Sequence, residues 1–144
     1  MLYDASRARN LTAAWFDPRY WSSRGELDGT ARGRGTTHFV RTRDRRLVLR
    51  HYHRGGLMSR LSPDRYIWRG EEQTRPFEEW SITYRLHRAG LPVPAHIAAR
   101  YVRSGRMYHG EIITERLTTV GSLAECLGLG ALSIVTWISI GRCI

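Results

Sequence analysis

A glycine-rich hairpin followed at once by a strand that ends in a cation constrains this chain more than any other feature. Residues 33–50 read GRGTTHFV, RTRDRR and LVLR, and the last residue of the run is Arg50. Glycines let a backbone approach anionic oxygens closely, and a charge on the next strand neutralises them. The order therefore favours a phosphate-covering loop and a nucleotide site, although any glycine-rich turn would satisfy the glycine pattern alone.

The basic charge of the chain comes entirely from arginine. The 144 residues carry a formal net charge of +10 and include no lysine. Arginine presents a planar fork that fits phosphates and carboxylates bidentately, so nucleic acid, anionic lipid head groups and acidic sugars all qualify as partners. Length and a hydrophobic content of 42% favour one domain with a real core. Cys126 and Cys143 form no CxxC pair, and without a secretory leader at Met1–Asn10 we expect a reducing cytosol.

Turn signals between alternating apolar residues predict five strands in an α+β fold. Three glycines within residues 29–35 separate the first two strands, and a tight turn at Asp44 precedes the third, RLVLRHYH. The last two strands are HIAARYVR and, after a turn at Ser104–Gly105, RMYHGEIITERL. The polar connection after the third strand predicts short helical turns at residues 57–61 and 64–68.

One helix is predicted between the third and fourth strands. A candidate N-cap at Thr74, a proline and two acids in the first turn, and a glycine and a proline beyond residue 89 mark its ends. The i, i+3, i+7 spacing places Glu79, Ile82 and Leu86 on one face, so this helix points an acid inward.

The hairpin, the strand and the helix together fit protein-kinase-like phosphotransferases. These proteins place a G-x-G-x-x-G-x-V loop over ATP, a cation on the third strand and a helix-borne acid that pairs with it. Here Gly33, Gly35 and Val40 keep the pattern, whereas His38 stands at the third glycine. Arg50 follows ten residues after the valine, where such kinases carry a lysine, and a guanidinium differs in geometry from an ammonium.

Glu79 supplies the helix-borne acid in this interpretation. The structural alternative is that Arg50 pairs with Glu78 or Glu79 merely to hold strand and helix together. His51 and His53 lie two apart on a strand and could ligate a metal, but the sequence offers no third ligand at suitable spacing, and no metal site is predicted.

Four blocks of sequence resemble the 3-deoxy-D-manno-octulosonic acid (Kdo) kinases, small kinase-like enzymes of Gram-negative lipopolysaccharide core assembly that are related to heptose kinases. The blocks are DGTARGRGTTHFV at residues 28–40, LRHYHRGG at 49–56, DRYIWRGEEQTRPFEEW at 64–80 and AGLPVPAHIAAR at 89–100. Each is short, but their combination is specific and extends from about Tyr20 to Ile144. The resemblance implies a protein-kinase-like N-terminal lobe.

The resemblance also implies an activity, its cofactors and its partners. The reaction is ATP- and Mg²⁺-dependent transfer of a phosphoryl group to the 4-hydroxyl of Kdo on a lipid A precursor. The enzyme would be peripheral to the anionic membrane surface at the cytoplasmic face of the bacterial inner membrane, with no nucleic-acid partner. By this likeness the two loop glycines cover the phosphates, Arg50 contacts them and Glu79 orients Arg50. Glu115 and Leu117 run into the inter-lobe hinge, where backbone groups hold adenine.

The second half of such a kinase has no counterpart in this sequence. An H-x-D-L-x-x-x-N catalytic loop and a later Mg²⁺-binding aspartate are needed, yet no aspartate follows Asp64. We therefore expect an N-lobe with an N-terminal extension at residues 1–117, then the hinge and first helices of a truncated C-lobe at 118–144. The catalytic aspartate and the Mg²⁺ ligands are expected beyond Ile144, and the chain alone is expected to be inactive.

Two alternatives stay open at this point. The apolar tail could span a membrane, although the capping-box pattern Ser122–Glu125 and two glycines divide it into short helices. The chain could instead be an arginine-rich nucleic-acid-binding module, in which aromatic residues stack on bases and arginines track phosphates. Steep salt dependence with indifference to MgATP would favour that module.

Overall fold

The computed structural model describes residues 1–32, 36–53 and 64–117, which form an antiparallel sheet with few helices, an α+β arrangement. The strands are β1 (Leu2–Tyr3), β2 (Leu27–Arg32), β3 (Thr36–Arg41), β4 (Arg46–His51), β5 (Tyr66–Ile67), β6 (His96–Ser104) and β7 (Met107–Glu115). The helices are a 3₁₀ turn (Ala13–Phe16), α1 (Pro18–Ser23) and α2 (Arg75–Arg88).

All strand pairs are antiparallel, and the sheet order is β1-β6-β7-β4-β3-β2, with β5 paired to β7. The described residues thus contain seven strands, against five predicted. The two additional strands, β1 and β5, have two residues each, which is too short to leave an alternating pattern in the sequence. Strand β5 also shows that the helical turn predicted at residues 64–68 was wrong, whereas the one at 57–61 lies outside the described residues.

The back face of the sheet is covered by the N-terminal segment. Phe16 and Trp21, which are 3% and 2% exposed, pack with Leu47, Leu49 and Ile113 from the two central strands. The Trp21 indole donates a hydrogen bond to the backbone oxygen of Trp15 (2.7 Å). These aromatic side chains thus belong to the core, and helix α1 was not predicted from the sequence.

The front face is covered by α2, which packs through its N-terminal part. Phe77 is buried against Tyr52 and Ile112. By contrast Ile82 is 51% exposed and Leu86 is 36% exposed, so the prediction that they share an inward face with an acid was wrong for these two residues. Helical spacing identifies residues on one stripe but not the end of the helix that reaches the sheet.

A glycine on β7 allows α2 to lie this close. A Cβ placed on Gly110 would stand 2.8 Å from both Cγ and Cδ of Pro76, in the first turn of α2. Thr74 begins this helix as predicted, with its carbonyl accepting from the amides of Phe77 and Glu78. Its hydroxyl does not cap the helix and donates to the carbonyl of Glu71 instead (2.7 Å).

The alternation of β4 divides its residues between the two covered faces. Leu47 and Leu49 point into the back-face core, which leaves Val48 and Arg50 on the front, beneath α2. Within the described part of the chain, no helix combines the length and apolarity needed to cross a bilayer. The tail, with its predicted helices and its membrane alternative, lies outside the described residues.

Candidate functional site

The site is organised around an ion pair between β4 and α2. A guanidinium nitrogen of Arg50, Nη2, contacts Oε1 of Glu79, while the Tyr52 hydroxyl donates to Oε2 of the same carboxylate (2.7 Å). The Arg50 guanidinium also lies over the Tyr52 ring, 5.2 Å from its centroid. Of the two acids left open by the sequence, Glu79 is therefore the partner, and Glu78 is exposed.

The electrostatics keep each member of this triad in the protonation state that the contacts need. Burial lowers the pKa of Arg50, but the neighbouring Glu79 carboxylate outweighs that effect, so the pKa is raised and the guanidinium stays charged. Burial, together with Glu79, raises the pKa of Tyr52 and keeps its phenol as a donor. The result is a cation held in place by a carboxylate that accepts hydrogen bonds from both Arg50 and Tyr52.

A cavity of about 700 Å³ opens beside this triad on the front face of the sheet, a volume typical of small-molecule sites. Its lining comes from the neighbouring strands β3, β4 and β7, from α2 and from the segment after β7, and includes Phe39, Val48, Arg50, Glu79, Thr114 and Leu117. The Nε of Arg50 is buried and has no hydrogen-bond partner among the described residues. The Arg50 side chain as a whole is 42% exposed, so its guanidinium can meet an anionic ligand in the cavity.

Four of the seven residues predicted to bind ATP line this one cavity: Arg50, Glu79, Glu115 and Leu117. The backbone N–H of Glu115 already donates to Ala95 (2.8 Å), and its carboxylate accepts from Arg7 (2.9 Å). The N–H of Leu117 makes no hydrogen bond with another described residue. Among the described residues, nothing competes with a ligand for that amide.

Val40 does not lie where the glycine-loop pattern predicted. It is 1% exposed and belongs to the back-face core, while its neighbour Phe39 lines the cavity. Successive residues of a strand point to opposite faces. If this hairpin is offset by one residue from the consensus spacing, Phe39 takes the cavity position expected for Val40, and Val40 points into the core. Gly33 and Gly35 lie outside the described residues.

Two further cavity residues were missed from the sequence. His96 is buried, its ring lies 4.7 Å from that of Trp80, and its Nε2 has no hydrogen-bond partner among the described residues. Burial lowers the pKa of His96, which favours the neutral imidazole. The Arg116 guanidinium lies 4.1 Å over the Phe39 ring. No motif marks His96, which reaches the cavity through strand pairing, whereas Arg116 follows β7 between the two predicted hinge residues but was not assigned a binding role.

On the back face the buried carboxylate of Glu111 contacts His51, one of the two histidines that could have ligated a metal. His51 Nδ1 lies 3.3 Å from Oε1 of Glu111, and Arg100 Nε donates to Oε2 (2.7 Å). Burial raises the pKa of Glu111, but hydrogen bonds from His51 and Arg100 outweigh it, and the pKa is lowered. The His53 ring is 5.0 Å from that of His51, yet no group of three or more His, Cys, Asp or Glu residues in the described ranges could hold a metal ion.

A cation and a carboxylate joined across strand and helix, beside a cavity, define the kind of site that kinase-like phosphotransferases use to hold nucleotide phosphates. Residues 18–144 match the Lipopolysaccharide kinase (Kdo/WaaP) family, and the chain belongs to this family. No solved structure matches the chain.

Curated relatives agree with this assignment. The chain is 38% identical over 149 residues to a 3-deoxy-D-manno-octulosonic acid kinase of Haemophilus influenzae (strain PittEE), a match that covers 99% of this chain and 61% of the relative. It is 41% identical over 125 residues to the protein of the same name from Stenotrophomonas maltophilia (strain K279a), covering 87% and 50%. The chain thus spans about half to three fifths of the length of these relatives.

Proposed function

We propose that this chain forms the nucleotide-binding part, a kinase-like N-terminal lobe, of an ATP-dependent kinase that phosphorylates Kdo. The observation that carries the proposal is the triad of Arg50, Glu79 and Tyr52, which fixes a charged, partly exposed arginine beside a 700 Å³ cavity. Family membership and the names of the curated relatives support phosphoryl transfer to Kdo.

Within this proposal four of the cavity residues and the glycine-rich loop have distinct roles in binding the nucleotide. Arg50 binds phosphate oxygens, and the Glu79 carboxylate, steadied by Tyr52, fixes the direction of the guanidinium. The N–H of Leu117 and the carbonyl of Glu115 hold the adenine edge, and the loop that contains Gly33 and Gly35 covers the phosphates. This assigns the strand-helix pair a positioning role rather than a purely structural one.

A bound Mg²⁺ would neutralise charge on the β- and γ-phosphates. Since the described residues contain no cluster able to hold a metal, we place its protein ligands outside these ranges. The acidic groups that this cavity does contain, Glu79 and Glu115, are already engaged by Arg50 and Arg7.

For the acceptor, we propose the 4-hydroxyl of a Kdo residue on a lipid A precursor, at the cytoplasmic face of the inner membrane. An acceptor rich in phosphate and carboxylate groups suits a chain whose net charge is +10. Because no aspartate follows Asp64, we propose that these 144 residues bind nucleotide without turnover. Kinase activity of the chain alone on a Kdo-lipid acceptor would contradict that part of the proposal.

Calorimetric titration of the 144-residue chain with MgATP tests the nucleotide site. Arg50→Ala should weaken binding roughly 10- to 100-fold, since a hydrogen bond to a charged group contributes about 1.5–3 kcal/mol. Arg88→Ala, which removes an exposed arginine at the other end of α2, is the matched control and should leave affinity unchanged. Equal affinities for wild type and Arg50→Ala, with salt-sensitive binding of nucleic acid, would favour the arginine-rich module instead.

A further inference from the structure

A second cavity, of about 720 Å³, lies between the N-terminal segment and the turn that joins β3 to β4. It shares no lining residue with the nucleotide cavity. Leu47, which belongs to the back-face core, contributes to its wall, whereas Arg50 and Val48 face the front. The two cavities therefore lie on opposite faces of the same sheet.

Arginine dominates the lining of this second cavity. Five arginines contribute, against the two carboxylates Glu26 and Asp44, which leaves an excess of three positive charges; the arginines are Arg7, Arg9, Arg24, Arg43 and Arg45. Such a concentration of guanidinium groups in one recess raises the local concentration of anions.

Three of these guanidinium groups contact another described residue and two do not. Arg7 pairs with Asp4 and Glu115, Arg24 pairs with Glu26, and Arg45 donates to the carbonyl of Arg7, as the ion-pair and hydrogen-bond geometry shows. Arg9 and Arg43 are exposed and make no ion pair or hydrogen bond with any other residue in the described ranges. The recess thus contains three arginines held by neighbouring residues and two, Arg9 and Arg43, that no other described residue engages.

An aromatic wall completes the recess. Trp15 and Tyr20 line it while packing edge-on against the buried Trp21, with ring centroids 5.2 Å and 5.0 Å from that of Trp21. Rings fixed in this way offer apolar surface at little entropic cost, next to donors that recognise phosphate. The lining residues from Ser6 to Trp15, which include Arg9, precede residue 18, where the family match begins.

We propose that this recess binds a phosphate-bearing head group, carried either by a soluble molecule or by a lipid. Arg9 and Arg43 bind the phosphate oxygens, and Trp15 and Tyr20 contact the apolar part of the group that bears them. The proposal goes beyond the nucleotide site and stands independently of it, since neither cavity uses a residue of the other.

Two probes distinguish the two sources of phosphate. Glucose 1-phosphate, titrated into the 144-residue chain by calorimetry, tests a soluble ligand. Flotation with phosphatidylcholine vesicles, with and without phosphatidic acid, tests a lipid. Both are measured on wild type and on the double variant Arg9→Gln/Arg43→Gln.

A matched control removes the same charge elsewhere. Arg69→Gln/Arg106→Gln alters two exposed arginines outside the recess. Arg106 lies at the turn before β7, next to Arg69, since the amide of Trp68 donates to the Arg106 carbonyl (2.9 Å). Glu115, at the other end of β7, pairs with Arg7, and the eight steps between Met107 and Glu115 span about 26 Å at roughly 3.3 Å per residue. That separation exceeds a Debye length of about 8 Å, so the control pair does not contribute to binding in the recess.

The expected result is saturable binding of at least one probe that the recess variant weakens and the control does not. For vesicles the loss should be roughly 30-fold, the change that corresponds to about 1 kcal/mol for each arginine beside an anionic surface. A soluble ligand alone, or vesicles alone, would identify the source and support the proposal. It is overturned if neither probe binds, if both double variants lose affinity equally, or if only RNA binds. MgATP titration of the same variants reports separately on the nucleotide site.

Discussion

Replacing Gly110 by alanine should drive a methyl group into the first turn of α2. The added Cβ would stand 2.8 Å from two ring carbons of Pro76, which is fully buried and cannot rotate away. Carbon atoms in contact need about 3.5 Å or more, so helix and strand must separate by roughly 0.7 Å. Overpacking of this kind costs about 1–3 kcal/mol of unfolding free energy.

The displacement has a second consequence, because α2 carries Glu79 three residues after Pro76. Moving the helix withdraws the carboxylate from Arg50 and Tyr52, so MgATP affinity should fall together with stability. Urea denaturation gives the unfolding free energy and calorimetry gives the affinity.

The control is Gly110→Ala in a Pro76→Ala background, which removes the two ring carbons that the methyl group would meet. In that background Gly110→Ala should lower the unfolding free energy by at least 1 kcal/mol less than it does in wild type. The reasoning is refuted if Gly110→Ala leaves urea stability unchanged, or if its cost is the same in both backgrounds.

Two further predictions concern the faces of the sheet. In His51→Asn, the deficit in melting temperature relative to wild type should be largest near pH 5–6.5, about 3 °C for about 1 kcal/mol, and should disappear toward pH 9. Glu111 raises the pKa of His51 above its ordinary 6.5, so this stabilisation is complete below 6.5 and is lost as pH rises through the folded-state pKa. The lowered pKa of Glu111 keeps its carboxylate ionised as pH falls below its ordinary 4.5, until the folded-state pKa is reached. A deficit that does not change with pH would contradict this. Tyr52→Phe should weaken MgATP binding roughly 3- to 10-fold by removing one donor to Glu79, as titration calorimetry can measure, and unchanged affinity would show that Arg50 needs no such support.

Much of the architecture follows from local signals in the sequence. The turn at Ser104–Gly105 is as predicted, and Gly105 adopts φ 60°, which glycine tolerates and other residues rarely adopt. The tight turn at Asp44 is present too, closed by the amide of Thr42 and the carbonyl of Arg45. These features depend on a few consecutive residues, so their composition is sufficient to identify them.

A known spacing pattern predicted that Arg50 pairs with an acid in the first turn of the next helix but left Glu78 and Glu79 open, and the position of α2 selects Glu79. Tyr52 and His96 were not predicted, since their roles depend on register across strands and on the position of α2. Val40 shows the limit of such patterns: spacing along the chain locates a strand, but only pairing decides which face each residue takes.

The N-terminal segment bears on where the folding unit begins. The match to the family as a whole starts at residue 18, yet Ala8 and Phe16 are buried within the same core as Leu47 and Ile113. A recombinant protein that starts at residue 18 would lack these side chains, and the apolar back face of the sheet would be exposed and prone to aggregation. Packing thus extends the folding unit upstream of the family match, into residues that the alignment with the Haemophilus influenzae relative also covers.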